Sequence, residues 1–145
     1  MSIIVRPDHA SKQVLFDIST VEKSHGAAIR HALFETGKHL KDDARSRINN
    51  RGRTGNIYQF NGRVHQASAE GEAPANLTGA LRNSVDYSVR GKRQVEFGYK
   101  VEHGEWLENG SRFIKQRPNL ETVSDDNITY FMRSLVRHFN DGGRS

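Results

Sequence analysis

The chain has no cysteine, which excludes disulfides and thiolate-held metal. No apolar run approaches the roughly 20 residues that span a bilayer. Met1 to Arg6 lacks the long apolar core of a signal peptide, so the expected place of maturation is the cytoplasm. Apolar residues are scarce, at 34% of 145. That length supports one domain, 1–145, with a modest core. The low apolar share predicts extended segments, or surfaces completed by a neighbour. Charge of one sign is not in large excess: 22 Lys plus Arg face 17 Asp plus Glu, a balance of +5. That suits an acidic partner or DNA, and it equally suits ordinary solubility. No internal repeat or linker divides the chain.

What is present has periodicity. Gln13 to Ile18 reads as a strand, with Ile3 to Arg6 as a second and Pro7-Asp8-His9 turning between them. Ser19-Thr20-Val21-Glu22 fits a capping box. Ile29, Leu33, Gly37, Leu40, Ala44 and Ile48 then form one apolar stripe of a helix ending near Ile48. Gly26 and Gly37 each weaken that helix by about 1 kcal/mol relative to Ala, so close packing of another element is the expected reason for them. Asn49-Asn50-Arg51-Gly52 is a stop signal.

Arg51 to Leu77 has few core-forming residues. Within it, Ile57-Tyr58-Gln59-Phe60 and Arg63-Val64-His65-Gln66 flank Asn61-Gly62. Asn-Gly is a strong hairpin signal, because both turn residues must take positive φ. A lone hairpin is marginal in water. Two readings of 54–73 stand: a projecting arm that gains its partner in an assembly, or a flexible surface loop. Further on, Leu77 to Ser84 predicts a short helix with Leu77 and Leu81 on one side. Val85 to Val89 and Gln94 to Phe97 alternate around Gly91-Lys92 as a second hairpin, with Val85, Tyr87 and Val89 on one face. Val101 to Asn109 reads as a short helix ending at Gly110, and a last helix follows Pro118-Asn119 with Ile128, Phe131, Leu135 and Phe139 in helical spacing. Residues 141–145 are expected to fray.

Candidate chemistry is thin. His31, Glu35 and His39 at i, i+4, i+8 could offer zinc ligands, but Lys38, Lys41 and Asp42 around them favour a solvated polar face. Glu102, His103, Glu105 and Glu108 could act as acid and base; with no nucleophile or oxyanion site in view, structural or interface use is favoured. Arg45, Arg47, Arg51 and Arg53 follow the first long helix. They suit its negative end, or phosphates or an acidic partner. Aromatic mass gathers at Phe97, Tyr99, Trp106 and Phe113, where core packing is the default and Trp106 and Phe113 are also candidates for an interface. No cofactor is implied.

Three motifs in order carry a resemblance. Thr78-Gly79-Ala80-Leu81-Arg82-Asn83-Ser84 leads into the second hairpin; Tyr99, Val101, Glu102 and Gly104 follow; Arg117-Pro118 and Leu120 open the C-terminal helix. Over 76–140 this resembles the head–tail joining, or tail-completion, proteins of long-tailed bacteriophages. Glu105 and Asn119 stand where that family usually has threonine and phenylalanine. The resemblance implies an α+β fold: a long N-terminal helix and a C-terminal helix packed on a small antiparallel sheet, with a projecting β-hairpin arm. It implies no enzyme but a virion subunit, assembled in the host cytoplasm, that forms a closed ring, a hexamer, in the neck. Its partners would be its own copies, adjacent rings such as the tail terminator and head-completion or adaptor proteins, and genomic DNA passing through the lumen without sequence readout. No membrane is involved.

The residues expected to carry interface and structure are Thr78, Gly79, Leu81, Arg82, Glu102, Gly104, Trp106, Phe113, Arg117 and Pro118, with Ile57, Tyr58, Phe60, Asn61, Gly62 and Val64 in the arm. Thr78 is expected to cap the short helix, Gly104 to supply a backbone conformation closed to side chains, and Pro118 to fix φ at the start of the last helix. Glu102 is expected to pair with Arg82 or Arg117, within a subunit or across a ring contact. The alternative function is a small basic nucleic-acid-binding protein using 45–53 and the 57–66 hairpin. A third is a hydrolase or metal protein built on His31, Glu35 and His39, or on Glu102 and His103.

Overall fold

The computed structural model describes residues 2–6, 11–15, 22–48 and 52–141. The expected turn at Pro7-Asp8-His9, the expected Ser19 cap, the stop signal at Asn49 to Arg51 and residues 142–145, where fraying is expected, lie outside them. The fold is α+β. Strands β1 (Ser2–Arg6), β2 (Ser11–Leu15), β5 (Val85–Arg90) and β6 (Gln94–Tyr99) form one antiparallel sheet in the order β1-β2-β6-β5. Strands β3 (Ile57–Phe60) and β4 (Arg63–Gln66) form a separate hairpin. Helix α1 runs over Glu22–Arg47 and lies on β5 and β6.

The predicted stripe of α1 is the core. Ile29, Leu33, Leu40, Ala44 and Ile48 are all 2% exposed or less. They meet Val85 and Tyr87 of β5 and Val95, Phe97 and Tyr99 of β6, the inward positions of a period-two pattern. Burial of this apolar area, at about 25 cal/mol per Å², is the main force holding helix to sheet. Gly37 is where they approach most closely: a Cβ there would overlap the Tyr87 ring. Gly26 differs from expectation, since a Cβ there would meet nothing within 4 Å.

Helix α2 (Ala80–Ser84) is shorter than predicted. Leu77 lies outside it and is exposed, while Leu81 reaches the core. Helix α3 (His103–Asn109) ends at Gly110, whose φ of 76° suits a helix terminus. The expected last helix is two helices, α4 (Leu120–Asp126) and α5 (Tyr130–Asn140). Asn127 supplies the break. Its Nδ2 donates to Asp43 Oδ2 at 2.7 Å and to Val123 O at 2.8 Å, and its Oδ1 lies 2.7 Å from His39 Nε2. An asparagine that satisfies two helices at once competes with continued helix. Ile128, expected inside, is therefore half exposed, whereas Phe131 and Leu135 are buried.

Candidate interaction surfaces

Within 54–73 the expected hairpin forms, β3 pairing with β4. Asn61 and Gly62 have φ of 49° and 75°, the turn that Asn-Gly requires. Pairing of Ile57 with Gln66 and of Gln59 with Val64 puts Ile57 and Val64 on one face. They are 67% and 72% exposed. Tyr58 and Phe60 are also exposed, and the Tyr58 ring meets His65 edge-on at 5.2 Å.

The base of the arm is fixed. Arg117 Nε and Nη2 donate to Ser68 O at 3.2 and 3.1 Å. Gly71 N donates to Gln116 O at 3.1 Å. Glu72 accepts from Thr54 Oγ1 at 2.6 Å and from the amides of Ala69 and Thr54 at 2.8 and 3.2 Å. The Thr54 hydroxyl, then the Ala69 amide, hold the Glu72 carboxyl below its ordinary value of 4.5. The tip is thus bare and the root is anchored.

Of the motif residues, Leu81, Tyr99, Gly104 and Leu120 are buried, whereas Thr78, Arg82 and Glu102 are exposed. The cap of α2 is Gly79, at φ 83°, and not Thr78 as expected; Thr78 Oγ1 accepts from Ala80 N at 3.3 Å from one residue further out. Gly104 is needed for space and not for dihedral freedom, because its Cβ would fall 2.5 Å from Tyr99 atoms. Glu108, whose neighbours in sequence suggest an acidic group, is 3% exposed. Its carboxylate accepts from Asn119 N at 3.0 Å and Glu121 N at 2.9 Å, so it caps the start of α4 from eleven residues or more away. Asn119 is fully buried and donates through Nδ2 to Ala44 O at 3.0 Å and Tyr99 Oη at 3.2 Å. Burial, then the Glu108 charge, push the Tyr99 hydroxyl well above its ordinary range. Pro118 sits two residues before the first helical position of α4, Leu120, outside the Asn119 boundary residue.

Glu102 is exposed, and no ion pair joins it to Arg82 or Arg117 among the described residues. Arg82 is exposed as well. Arg117 spends its guanidinium on the carbonyls of Ser68 and Lys115. Phe97 and Tyr99 are core. Trp106 and Phe113 are not, at 44% and 87% exposed.

The proposed phosphate-contacting arginines have internal work. Arg45 donates to Val85 O at 3.1 and 2.8 Å. Arg47 pairs with Asp43 at 3.0 Å and Asp126 at 2.8 Å. Arg53 donates to the carbonyls of Arg47 and Pro74. Arg51 lies outside the described residues. The His31–Glu35–His39 set is likewise a seam between α1 and α5. Glu35 takes Ser134 Oγ at 2.7 Å, His138 Nε2 at 2.8 Å and the Arg137 guanidinium. Partial burial would raise the Glu35 carboxyl, but Ser134, His138 and Arg137 together hold it below 4.5. His39 stacks on Tyr130 at 3.8 Å. No group of three metal-ligating side chains is assembled among the described residues, and no helix there is long and apolar enough to cross a membrane. No protein family, curated protein or solved structure matches the chain.

Proposed function

We propose that this chain is a structural subunit of a bacteriophage neck: a tail-completion protein whose copies, six in number, close into a ring that joins the tail to the DNA-filled head and leaves a channel for DNA. The observation that carries this reading is the arm. Apolar side chains of Ile57, Tyr58, Phe60 and Val64 stand in water on a hairpin whose root is hydrogen-bonded at several points. A monomer gains nothing from that arrangement, and an assembly gains an anchor. Three of the four arginines on which nucleic-acid binding would rest hold carbonyls or carboxylates of their own chain, which weakens the alternative.

The test is joining in vitro. DNA-filled heads and free tails from a virus lacking this protein are expected to form infectious particles when the purified chain is added, and to fail when 57–66 is replaced by a two-residue turn. Joining that proceeds equally well without the chain would end this reading. So would salt-dependent DNA binding by a chain that never enters the particle.

A further inference from the structure

We infer that the ring contact pairs two chemically matched ends of the chain: the Trp106 face of α3 on one copy seats in a groove between α1 and the β5–β6 turn on the next. This rests on the ring reading and names both sides of its interface.

The groove is a cavity of about 380 Å³ at the N-terminal end of α1. Its floor is Ile29 and Leu33 with Val89. Arg30 and Lys92, both exposed, stand at its rim, and the Arg30 guanidinium lies 5.6 Å from the half-exposed Phe34 ring. Gly26 is part of its lining, and among the described residues a Cβ there would meet nothing within 4 Å. A glycine inside a helix costs about 1 kcal/mol, and no contact among the described residues requires this one.

The knob is at the other end. Glu102, Glu105, Trp106 and Asn109 fall at i, i+3, i+4 and i+7, one side of α3, while Gly104 and Glu108 turn inward and are buried. Trp106 is 44% exposed, and neither carboxylate beside it is in an ion pair among the described residues. An aromatic ring flanked by two carboxylates matches an apolar hole rimmed by two cations in shape and in sign.

The two surfaces cannot meet within one chain. Helix α3 follows β6, and this end of the molecule is tied to α1 at Ala44 through Asn119. The groove lies ten or more residues back along α1, roughly 15 Å away and on the opposite end of the β5–β6 hairpin. Contact between unlike ends is heterologous, which closes a ring when the rotation per subunit permits.

The absence of cysteine makes the test direct. Asn109→Cys and Ala27→Cys, beside the contact with Trp106 and Gly26 kept, are mixed at high concentration and mildly oxidised. The expected product is the mixed disulfide, about tenfold over either homodimer, falling about tenfold with Lys92→Glu on the groove partner and recovering when Glu105→Lys is placed on the knob partner. Homodimers and mixed dimers in collisional proportion, unmoved by either charge change, would overturn the contact. The oligomeric mass of the unaltered chain separates the two levels. Assembly without the mixed disulfide removes this contact and leaves the ring; a chain that is monomeric at all concentrations and gives no mixed disulfide removes both.

Discussion

Two antiparallel hairpins, β3–β4 and β5–β6, have opposite fates. The β5–β6 hairpin lays Val85, Tyr87 and Val95 against α1, and its outer edge is partly occupied: Arg45 donates to Val85 O, and Asp86 Oδ1 accepts from Tyr87 N at 2.9 Å. An edge blocked in this way resists further strand pairing. The β3–β4 hairpin has the better turn sequence, yet its apolar side chains face solvent. Local code makes a hairpin, and what covers it decides whether it is scaffold or contact. In the first case the cover is α1; in the second, on our reading, it belongs to another subunit.

The sharpest way to break this contrast is Gly37→Leu. The new side chain collides with Tyr87, and α1 can no longer lie on β5; a loss of about 3 kcal/mol in urea unfolding is expected, and a loss under 1 would show that the helix has room. Glu108→Ala comes next. It strands the amides of Asn119 and Glu121 behind β6, for about 2 kcal/mol of global stability, while the amides at Gly55 and Ala67 in the arm keep their exchange rates. Arg117→Ala should reverse that pattern. Ser68 O loses two donors, exchange quickens through 54–73, and the global midpoint moves by about 1 kcal/mol or less.

Acid should act on the arm's root in the same direction. The Glu72 carboxyl titrates lower in the folded chain than its ordinary 4.5, so its contribution is complete at neutral pH and fades as pH falls through the folded value. Protection of the Thr54 and Ala69 amides is expected to drop below about pH 4.5, and Glu72→Gln should flatten that dependence. If the protection factors of those amides are unchanged from pH 7 to pH 3, Glu72 does not hold the root. The smallest effect on the monomer is expected from Ile57→Ser with Val64→Ser: within about 0.5 kcal/mol, but with loss of head–tail joining. A large loss of monomer stability would mean that the arm is core after all.

Much of this fold is legible in residue spacing. The 29–48 stripe, both hairpins and the Gly110 helix stop follow from period and turn chemistry, and each involves residues close in the chain. The misses share a different cause. Spacing cannot show that Asn127 bonds across to His39 and Asp43 and so splits the last helix, nor that Glu108 caps α4. It misassigns Gly104, whose reason is the Tyr99 ring. It also leaves Arg45 and Arg53 looking free, because their acceptors are carbonyls that become neighbours only after folding.

The sequence alone determined the elements, because helix and strand periods and the φ demands of Asn61-Gly62 are local properties. It determined too that apolar mass is short for a 145-residue core. Only the tertiary structure decided where that shortage falls. Once the core face of α1 is covered by β5 and β6, Ile57, Val64 and Trp106 remain exposed, and contacts such as Arg117 to Ser68 O at the arm's root and Arg45 to Val85 O join residues tens of positions apart.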